Sequence, residues 1–299
     1  MPSTTTTARP RIGMSRRLSR SIASQVDRIV QDEERMGRLL TLEKQRRGVH
    51  RDALIFVGMA NVADHWWCTQ RAVLKSRAEE LGFFAAYLSD RILYAHRLGL
   101  VTKLPKSHKA LLDVGSELTW GDVEPLLKER EREWQDNGDY VQAGQANWQY
   151  MDAAELELDP LRRGKIYHEL RAEQYPTIRW HFPWGRYSVV GLPDGLTDAF
   201  AYEYKSTKSR FLVSFVKPVA HAQADLYARF SNRPNKRVQV YVMEEKVTET
   251  FEVPADPARA EDTFAAFARV DAGEPAHPPK AWKCSKCDFR AACPMSQAK

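Results

Sequence analysis

Three residues in the second half of the chain have the types and spacing that could hold a divalent cation beside a lysine: Asp194, Glu203 and Lys205. Glu203 and Lys205 are two residues apart in the segment 200–205, Phe-Ala-Tyr-Glu-Tyr-Lys, whose aromatic residues predict a β-strand. Side chains two apart on a strand point to the same face of a sheet. The carboxylate and the ammonium group are therefore expected on one face.

Asp194 precedes that strand in the sequence Gly-Leu-Pro-Asp-Gly at residues 191–195, which is typical of a turn. A hairpin here would bring Asp194 beside Glu203. Two carboxylates that meet repel each other unless a cation lies between them, and carboxylate ligands suit Mg²⁺ or Mn²⁺. Asp198 lies on the same hairpin and is a rival, but the turn context favours Asp194.

The order Asp194, then Glu203-x-Lys205, resembles the active-site motif of the PD-(D/E)XK nuclease superfamily. Gln223 and Tyr227 add a Gln-x3-Tyr pair on the next predicted helix. Because residues four apart share one helix face, both would be directed to the site.

His168, in Gly-Lys-Ile-Tyr-His, precedes these motifs on a predicted helix at residues 161–174. The whole ordered set is similar to the RecB-like branch of the superfamily. That branch includes the CRISPR-associated RecB-like exonucleases and the eukaryotic single-strand exonucleases. The resemblance covers residues 161–242.

The resemblance implies an α/β fold with a PD-(D/E)XK, restriction-endonuclease-like core, in which helices flank a mixed central sheet. The order strand, turn, strand, helix, strand in residues 180–243 also predicts an α/β core. Four parts follow along the chain: an N-terminal extension (1–50), disordered and then helical; a helical region with the first cysteine and an insertion (51–160); the nuclease core (161–272); and a C-terminal cysteine segment (273–299).

The four cysteines are split as one plus three: Cys68, then Cys284-x2-Cys287-x5-Cys293. Four thiolates are what a structural zinc ion or an iron–sulfur cluster requires. The same split is found in iron–sulfur members of the RecB-like nucleases, so the resemblance implies a 4Fe-4S cluster. Zinc remains the alternative. Either metal would be structural, because four cysteines leave no position open for substrate.

The resemblance also implies a role for each site residue. The catalytic metal ligands would be His168, Asp194, Glu203 and the backbone carbonyl of Tyr204. An imidazole ligand favours Mn²⁺ over Mg²⁺. Lys205 would position the attacking water and stabilise developing negative charge. Gln223 and Tyr227 would hold the nucleophile region or the DNA strand.

The formal net charge of +6 is compatible with a polyanionic partner. Candidate phosphate contacts follow the catalytic strand and the next helix: Lys208, Arg210, Lys217, Arg229, Arg233, Lys236 and Arg237. The aromatic segment 180–187 could stack on bases, but core packing is the favoured interpretation. No apolar run reaches the ~20 residues that span a bilayer, and no secretory signal is evident, so a cytoplasmic, intracellular protein is expected.

The predicted function is that of a metal-dependent DNA exonuclease or end-processing nuclease that prefers single strands or frayed ends. A role in recombination, repair, phage DNA metabolism or CRISPR adaptation would involve protein partners, and an oligomer is possible. The chain has no Walker A motif and hence no helicase motor of its own. The alternatives are a non-catalytic DNA-binding subunit of a larger complex and a zinc-stabilised scaffold of the same fold.

Overall fold

The computed structural model describes residues 16–47, 54–137, 162–164, 166 and 175–297. These residues form an α/β fold with two mixed sheets, one of order β1-β3-β2 and one of order β4-β5-β6-β7. The strands are β1 (Ile55–Gly58), β2 (Trp180–Trp184), β3 (Tyr187–Gly191), β4 (Gly195–Leu196), β5 (Phe200–Thr207), β6 (Asn235–Val242) and β7 (Val247–Pro254). The α/β class predicted from the sequence is confirmed, whereas the single central sheet is replaced by two sheets.

The helices with defined bounds surround these sheets. They are α1 (Arg16–Val30), α2 (Glu33–Arg46), α3 (Met59–Ala63), α4 (Thr69–Ala78), α5 (Glu80–Arg97), α6 (His108–Asp113), α7 (Trp120–Asn137), α8 (Arg210–Ser231), α9 (Pro257–Asp271) and α10 (Ala281–Ser285). No helix in the described ranges is both long and apolar enough to cross a bilayer.

The helical part predicted for the N-terminal extension is present as two helices, α1 and α2, which pack on α5. The side chains of Ile22 and Val26 on α1 are buried in a hydrophobic cluster with residues of α2 and α5. Glu43 on α2 is fully buried, and it accepts hydrogen bonds from Tyr87 Oη at 2.9 Å and Arg47 Nε at 2.8 Å. Burial alone would raise the pKa of Glu43, but the hydrogen bond from Arg46 and the charge of Arg47 hold it below its usual value.

Strand β1 lies inside the segment 51–160 that the sequence analysis interpreted as helical. It pairs in parallel with β3, so that Ile55 is opposite Tyr187. All four of its residues are buried, and a short apolar run with no alternation does not distinguish a strand from a helix. The first sheet therefore combines strands from both sides of the boundary predicted at residue 160.

The aromatic segment predicted as one strand is a hairpin of β2 and β3 that turns at Gly185, whose φ is 54°. Trp180 and Tyr187 are buried, and the ring of Trp184 lies 4.0 Å from that of Phe264 on α9. These aromatic side chains form core contacts, as the favoured interpretation expected. They are not available to stack on a ligand.

His181, on β2, makes stability depend on pH. Its ring packs edge-on against Tyr87, and burial together with the charges of Arg91 and Arg47 lowers its pKa to about 3. In the unfolded chain His181 binds a proton near pH 6.5. The contribution of neutral His181 to the free energy of unfolding is therefore fully present above that pH and is lost as the pH falls towards 4. By then His181 alone removes on the order of 3 kcal/mol.

The measurement is the free energy of unfolding in urea between pH 4 and pH 7. His181→Phe should flatten the dependence, whereas His277→Gln, at an exposed position, should not. An unchanged slope in His181→Phe would show that another group is responsible.

Candidate active site and cysteine pocket

The hairpin of β4 and β5 brings Asp194 next to Glu203. Gly195 is paired with Tyr202 in the antiparallel register, so the preceding residue, Asp194, lies alongside Glu203. Glu203 is fully buried and Asp194 is 8% exposed. The juxtaposition of these two carboxylates, predicted from the sequence, is present in the structure.

The turn that closes this hairpin lies a few residues later than predicted. Thr197 Oγ1 accepts hydrogen bonds from the backbone N–H groups of Ala199 at 3.2 Å and Phe200 at 3.1 Å. A Thr side chain that bonds to backbone two and three residues ahead is a recognised turn former. Asp198 sits at the tip of this turn, exposed and within 3.3 Å of Lys128 Nζ, so the rival carboxylate points away from the site.

Gly191 and Gly195 are required for close packing rather than for the turn. A Cβ at Gly195 would lie 2.4 Å from the Cβ of Tyr175, and one at Gly191 would lie 2.8 Å from the Sδ of Met59. The backbone between β3 and β4 is therefore packed closely against the side chains of Met59 and Tyr175. Thr177 Oγ1 also donates a hydrogen bond to the Pro193 carbonyl at 2.5 Å. These contacts fix the backbone that carries Asp194.

The two faces of β5 have different surroundings. Tyr202 and Tyr204 pack in a tyrosine-rich cluster with Tyr241. Glu203 and Lys205 lie on the opposite face, which α8 covers. This is the alternation that the i, i+2 spacing predicts.

The side chain of Asp194 accepts a backbone hydrogen bond from β5, as a residue of a neighbouring strand would. Its Oδ2 accepts a hydrogen bond from the backbone N–H of Tyr204 at 2.7 Å. The N–H and C=O of one strand residue point to the same neighbouring strand. The carbonyl of Tyr204, the predicted backbone ligand, therefore points to the same edge as Asp194.

Lys205 connects the carboxylates to α8. Its Nζ forms an ion pair with Glu203 and donates a hydrogen bond to Gln223 Oε1 at 3.2 Å. Gln223 Nε2 in turn donates to Tyr227 Oη at 3.0 Å. Five of the predicted site residues therefore lie in one connected group: Asp194, Glu203, Lys205, Gln223 and Tyr227.

The carboxylates dominate the electrostatics of this group. Burial alone would lower the pKa of Lys205, but the charges of Glu203 and Asp194 raise it above its usual value. Burial raises the pKa of Tyr227 well above its usual value, and the same two carboxylates add to this. Lys205 is therefore a cation and Tyr227 a neutral phenol at neutral pH.

Asp64 is a neighbour of the site that the sequence analysis missed. It lies in a 3₁₀ turn, Asp64–Trp66, and its charge contributes to the raised pKa of Lys205. Its Oδ2 is 2.8 Å from Arg71 Nη1 and 3.6 Å from Lys75 Nζ. Only its closeness to Cys68 in the sequence could have suggested a role, because it is far upstream of the hairpin.

His168, the predicted imidazole ligand, lies outside the described residues. Residues 162–164 and 166 are helical, as predicted. Gly164 lies near Ser206, and Ile166 packs on the tyrosine-rich cluster, so this segment contacts β5. In the part of the chain that the structure describes, no three His, Cys, Asp or Glu side chains lie together so as to hold a single metal ion.

All four cysteines line one pocket between α4 and the C-terminal segment. Cys68 immediately precedes α4, and Cys284 is buried on α10. The pocket is lined by Trp67, Cys68, Arg71, Leu74, Pro279, Lys283, Cys284, Cys287, Phe289, Arg290, Cys293 and Ser296. Burial raises the pKa of Cys293, and the neighbouring charges of Cys68, Cys284 and Cys287 raise it further.

The C-terminal segment is attached to the chain around Cys68 by contacts of its own. Lys283 Nζ donates a hydrogen bond to the Trp67 carbonyl at 2.6 Å and lies 4.4 Å from the centre of the Trp67 ring. The rings of Trp67 and Trp282 meet edge to face at 5.3 Å. These contacts hold the C-terminal segment that carries Cys284, Cys287 and Cys293 against the chain around Cys68.

The predicted track of phosphate-binding residues is largely occupied by internal ion pairs. Lys236 Nζ is 2.5 Å from Asp225 Oδ1, and Arg233 Nη1 is 2.7 Å from Glu124 Oε1, both in buried positions. Further pairs join Arg210 to Glu245 and Glu249, Arg229 to Glu261, and Arg237 to Glu252. Lys236 and Arg233 are therefore unavailable to phosphate, which their spacing in the sequence does not reveal, whereas the exposed pairs of Arg210 and Arg229 contribute little to stability.

No protein-family model matches the chain, and no curated protein matches it by sequence. Among solved structures, one described as "Crystal structure of SSO0001" is similar, with a TM-score of 0.36 and 14% sequence identity. The similarity covers 54% of this chain and 82% of that chain. It is too weak to bear on activity, so the candidate site stands on its own geometry.

Proposed function

We propose that the protein is a metal-dependent DNA nuclease of the PD-(D/E)XK superfamily, in its RecB-like iron–sulfur branch. The observation that carries the proposal is the connected group on the hairpin and α8. Two buried carboxylates, Asp194 and Glu203, meet one lysine, and that lysine is held by the Gln-x3-Tyr pair. The order of these residues in the sequence does not by itself require that their side chains lie together.

The charges of the group fit a divalent cation. Glu203 is ion-paired with Lys205, and a divalent cation beside Asp194 and Glu203 would stabilise both buried carboxylates further. The ligands would be these two carboxylates, the Tyr204 carbonyl at the same edge, and His168. Oxygen donors suit Mg²⁺ and Mn²⁺, and the imidazole favours Mn²⁺.

The reaction is hydrolysis of a phosphodiester. A bound cation supplies Lewis-acid polarisation of a phosphoryl oxygen. Lys205 orients the attacking water and stabilises the negative charge that develops on phosphorus-bound oxygens. Gln223 holds the ammonium group in place, and Tyr227 holds Gln223. The water oxygen bonds to phosphorus, the ester P–O bond breaks, and the leaving oxygen takes up a proton.

The four cysteines would hold a 4Fe-4S cluster that ties the C-terminal segment to α4. Four thiols line one pocket whose walls include Trp67, Leu74 and Phe289, and metal binding would draw them closer together than they lie in this structure. A zinc ion is the alternative occupant. In either case the metal would stabilise the fold and would take no part in hydrolysis.

The proposal is tested by incubating the purified protein with end-labelled single-stranded, duplex and frayed-end DNA in Mn²⁺, Mg²⁺ or EDTA. We expect cleavage in Mn²⁺ that EDTA abolishes, with single strands or frayed ends as the preferred substrates. The position of the label in the products gives the polarity. No cleavage in any metal, by protein that binds DNA and retains its cysteine-bound metal, would favour the alternative of a non-catalytic DNA-binding subunit.

A further inference from the structure

An exposed aromatic groove lies between α8 and the C-terminal segment. Its rings are in a continuous series, with Phe211 and Phe215 centred 5.5 Å apart, Phe215 and Trp282 5.5 Å apart, and Trp282 and Trp67 5.3 Å apart. We call these four residues the aromatic groove. Thr207, Leu212, Val216 and Lys280 complete its lining.

The groove exposes side chains that a fold normally buries. Phe211 is 74% exposed and Trp282 is 44% exposed. The aromatic residues of β2 and β3, in contrast, are used in core contacts. A contiguous apolar patch on a surface indicates a binding site.

The groove adjoins the candidate active site. Thr207 is two residues beyond Lys205 on β5, and α8 begins three residues later. Phe215 precedes Gln223 by two helical turns, which corresponds to about 12 Å along α8. A polynucleotide with stacked bases rises about 3.4 Å per nucleotide, so this separation along α8 corresponds to about three or four nucleotides.

The charge at the groove suits a polyanion. Among its described lining residues, Lys280 is charged and exposed, and none is acidic. Lys283 lies between the rings of Trp67 and Trp282, at 4.4 Å and 5.8 Å from their centres. Lys208, which follows Thr207, has a side chain that is 66% exposed and lies 3.8 Å from Glu244 Oε1 in a solvent-exposed pair that a phosphate could replace. An apolar peptide would not need this positive border.

We infer that the aromatic groove stacks the unpaired bases of single-stranded DNA that enters or leaves the candidate active site. The inference rests on the proposed function and names its substrate class more closely. Base faces are accessible only in an unpaired strand, and stacking on aromatic rings is tolerant of sequence. The groove would therefore hold any single strand while excluding a blunt duplex.

The test is equilibrium binding in EDTA, where no cleavage takes place. The probes are a fluorescein-labelled oligo(dT) 20-mer and a blunt hairpin duplex. Phe211→Ala and the double variant Phe211→Ala/Trp282→Ala should bind the single strand about tenfold or more weaker. Phe211→Tyr, which keeps a ring, should bind like the wild type. Leu100→Ala, at a residue 67% exposed in the loop after α5, is the matched control and should have no effect.

The salt dependence separates stacking from charge. The slope of log K against log salt should be the same for wild type and Phe211→Ala, because no phosphate contact is removed. Equal binding of the single strand by the double variant and the wild type would overturn the inference. So would a dimer of the wild type that the double variant converts to a monomer with unchanged DNA affinity, since a second copy would then occupy the groove.

The two proposals fail in different ways. Single-strand binding that depends on Phe211, in a protein that cleaves DNA in no metal, would keep the stacking groove and reject the nuclease. The opposite result is cleavage that is lost in Lys205→Ala, with cleavage and single-strand affinity unchanged in Phe211→Ala. It would support the nuclease proposal and reject base stacking in the aromatic groove.

Discussion

Lys205→Ala should lower the single-turnover rate of DNA cleavage by at least about a hundredfold, the loss expected when one donor to a developing anion is removed. Lys205 is the cation that touches Glu203 and is held by Gln223. The measurement is cleavage of an end-labelled single strand at saturating Mn²⁺. Lys109→Ala removes an exposed lysine on α6, away from the candidate site, and should leave the rate unchanged.

Folding has to be separated from catalysis in this variant. Removing Lys205 leaves Glu203 buried without its counter-charge, which can cost about 3–5 kcal/mol. Lys205→Arg keeps the charge but changes the shape of the donor, so it should melt near the wild-type temperature and still cleave slowly. A Lys205→Arg variant as fast as wild type would mean that only charge at this position matters. Wild-type rates in Lys205→Ala would place the active site elsewhere.

The second large effect concerns the cysteine pocket. Cys284→Ser should eliminate bound iron and acid-labile sulfide and lower the melting temperature by many degrees, because metal binding is coupled to folding. Cys284 is the buried member of the C-terminal triplet. Cys68→Ser should have the same effect, although Cys68 is far away in the sequence, because it lines the same pocket.

The controls for this prediction are metal analysis and a nearby serine. Ser285→Ala, next to Cys284 and exposed, should retain full iron content and stability. If the wild type contains zinc and no iron, the cluster is rejected, but a structural metal in the cysteine pocket is retained. Full iron content and full stability in Cys68→Ser would contradict the one-plus-three ligand set.

The parts of the fold that could be predicted are those in which the spacing of residues along one strand or helix determines which side chains share a face. The alternation in β5 separates Glu203 and Lys205 from Tyr202 and Tyr204, and the structure places the pairs on opposite faces. The spacing of Gln223 and Tyr227 predicted one helix face, and their side chains are hydrogen-bonded. These properties depend on residues close in sequence.

The parts that could not be predicted depend on distant contacts or on ambiguous composition. Strand β1 is a buried apolar run with no period, and β7 is an edge strand whose residues are half polar and mostly exposed. Helix α8 begins at Arg210 and contains Pro218, although a proline usually marks the first turn of a helix. The role of Lys236 was also misassigned, because its partner Asp225 becomes visible only when β6 packs beneath α8.

The most direct test of the central claim is the Mn²⁺ dependence of single-turnover cleavage for the wild type, Glu203→Gln and Asp198→Asn. Asp198 is the exposed carboxylate at the tip of the same hairpin, so it is the matched control. We expect Asp198→Asn to follow the wild-type curve, and Glu203→Gln to cleave at least about a hundredfold more slowly at every Mn²⁺ concentration. A Glu203→Gln variant with the wild-type rate and the wild-type Mn²⁺ dependence would contradict the central claim.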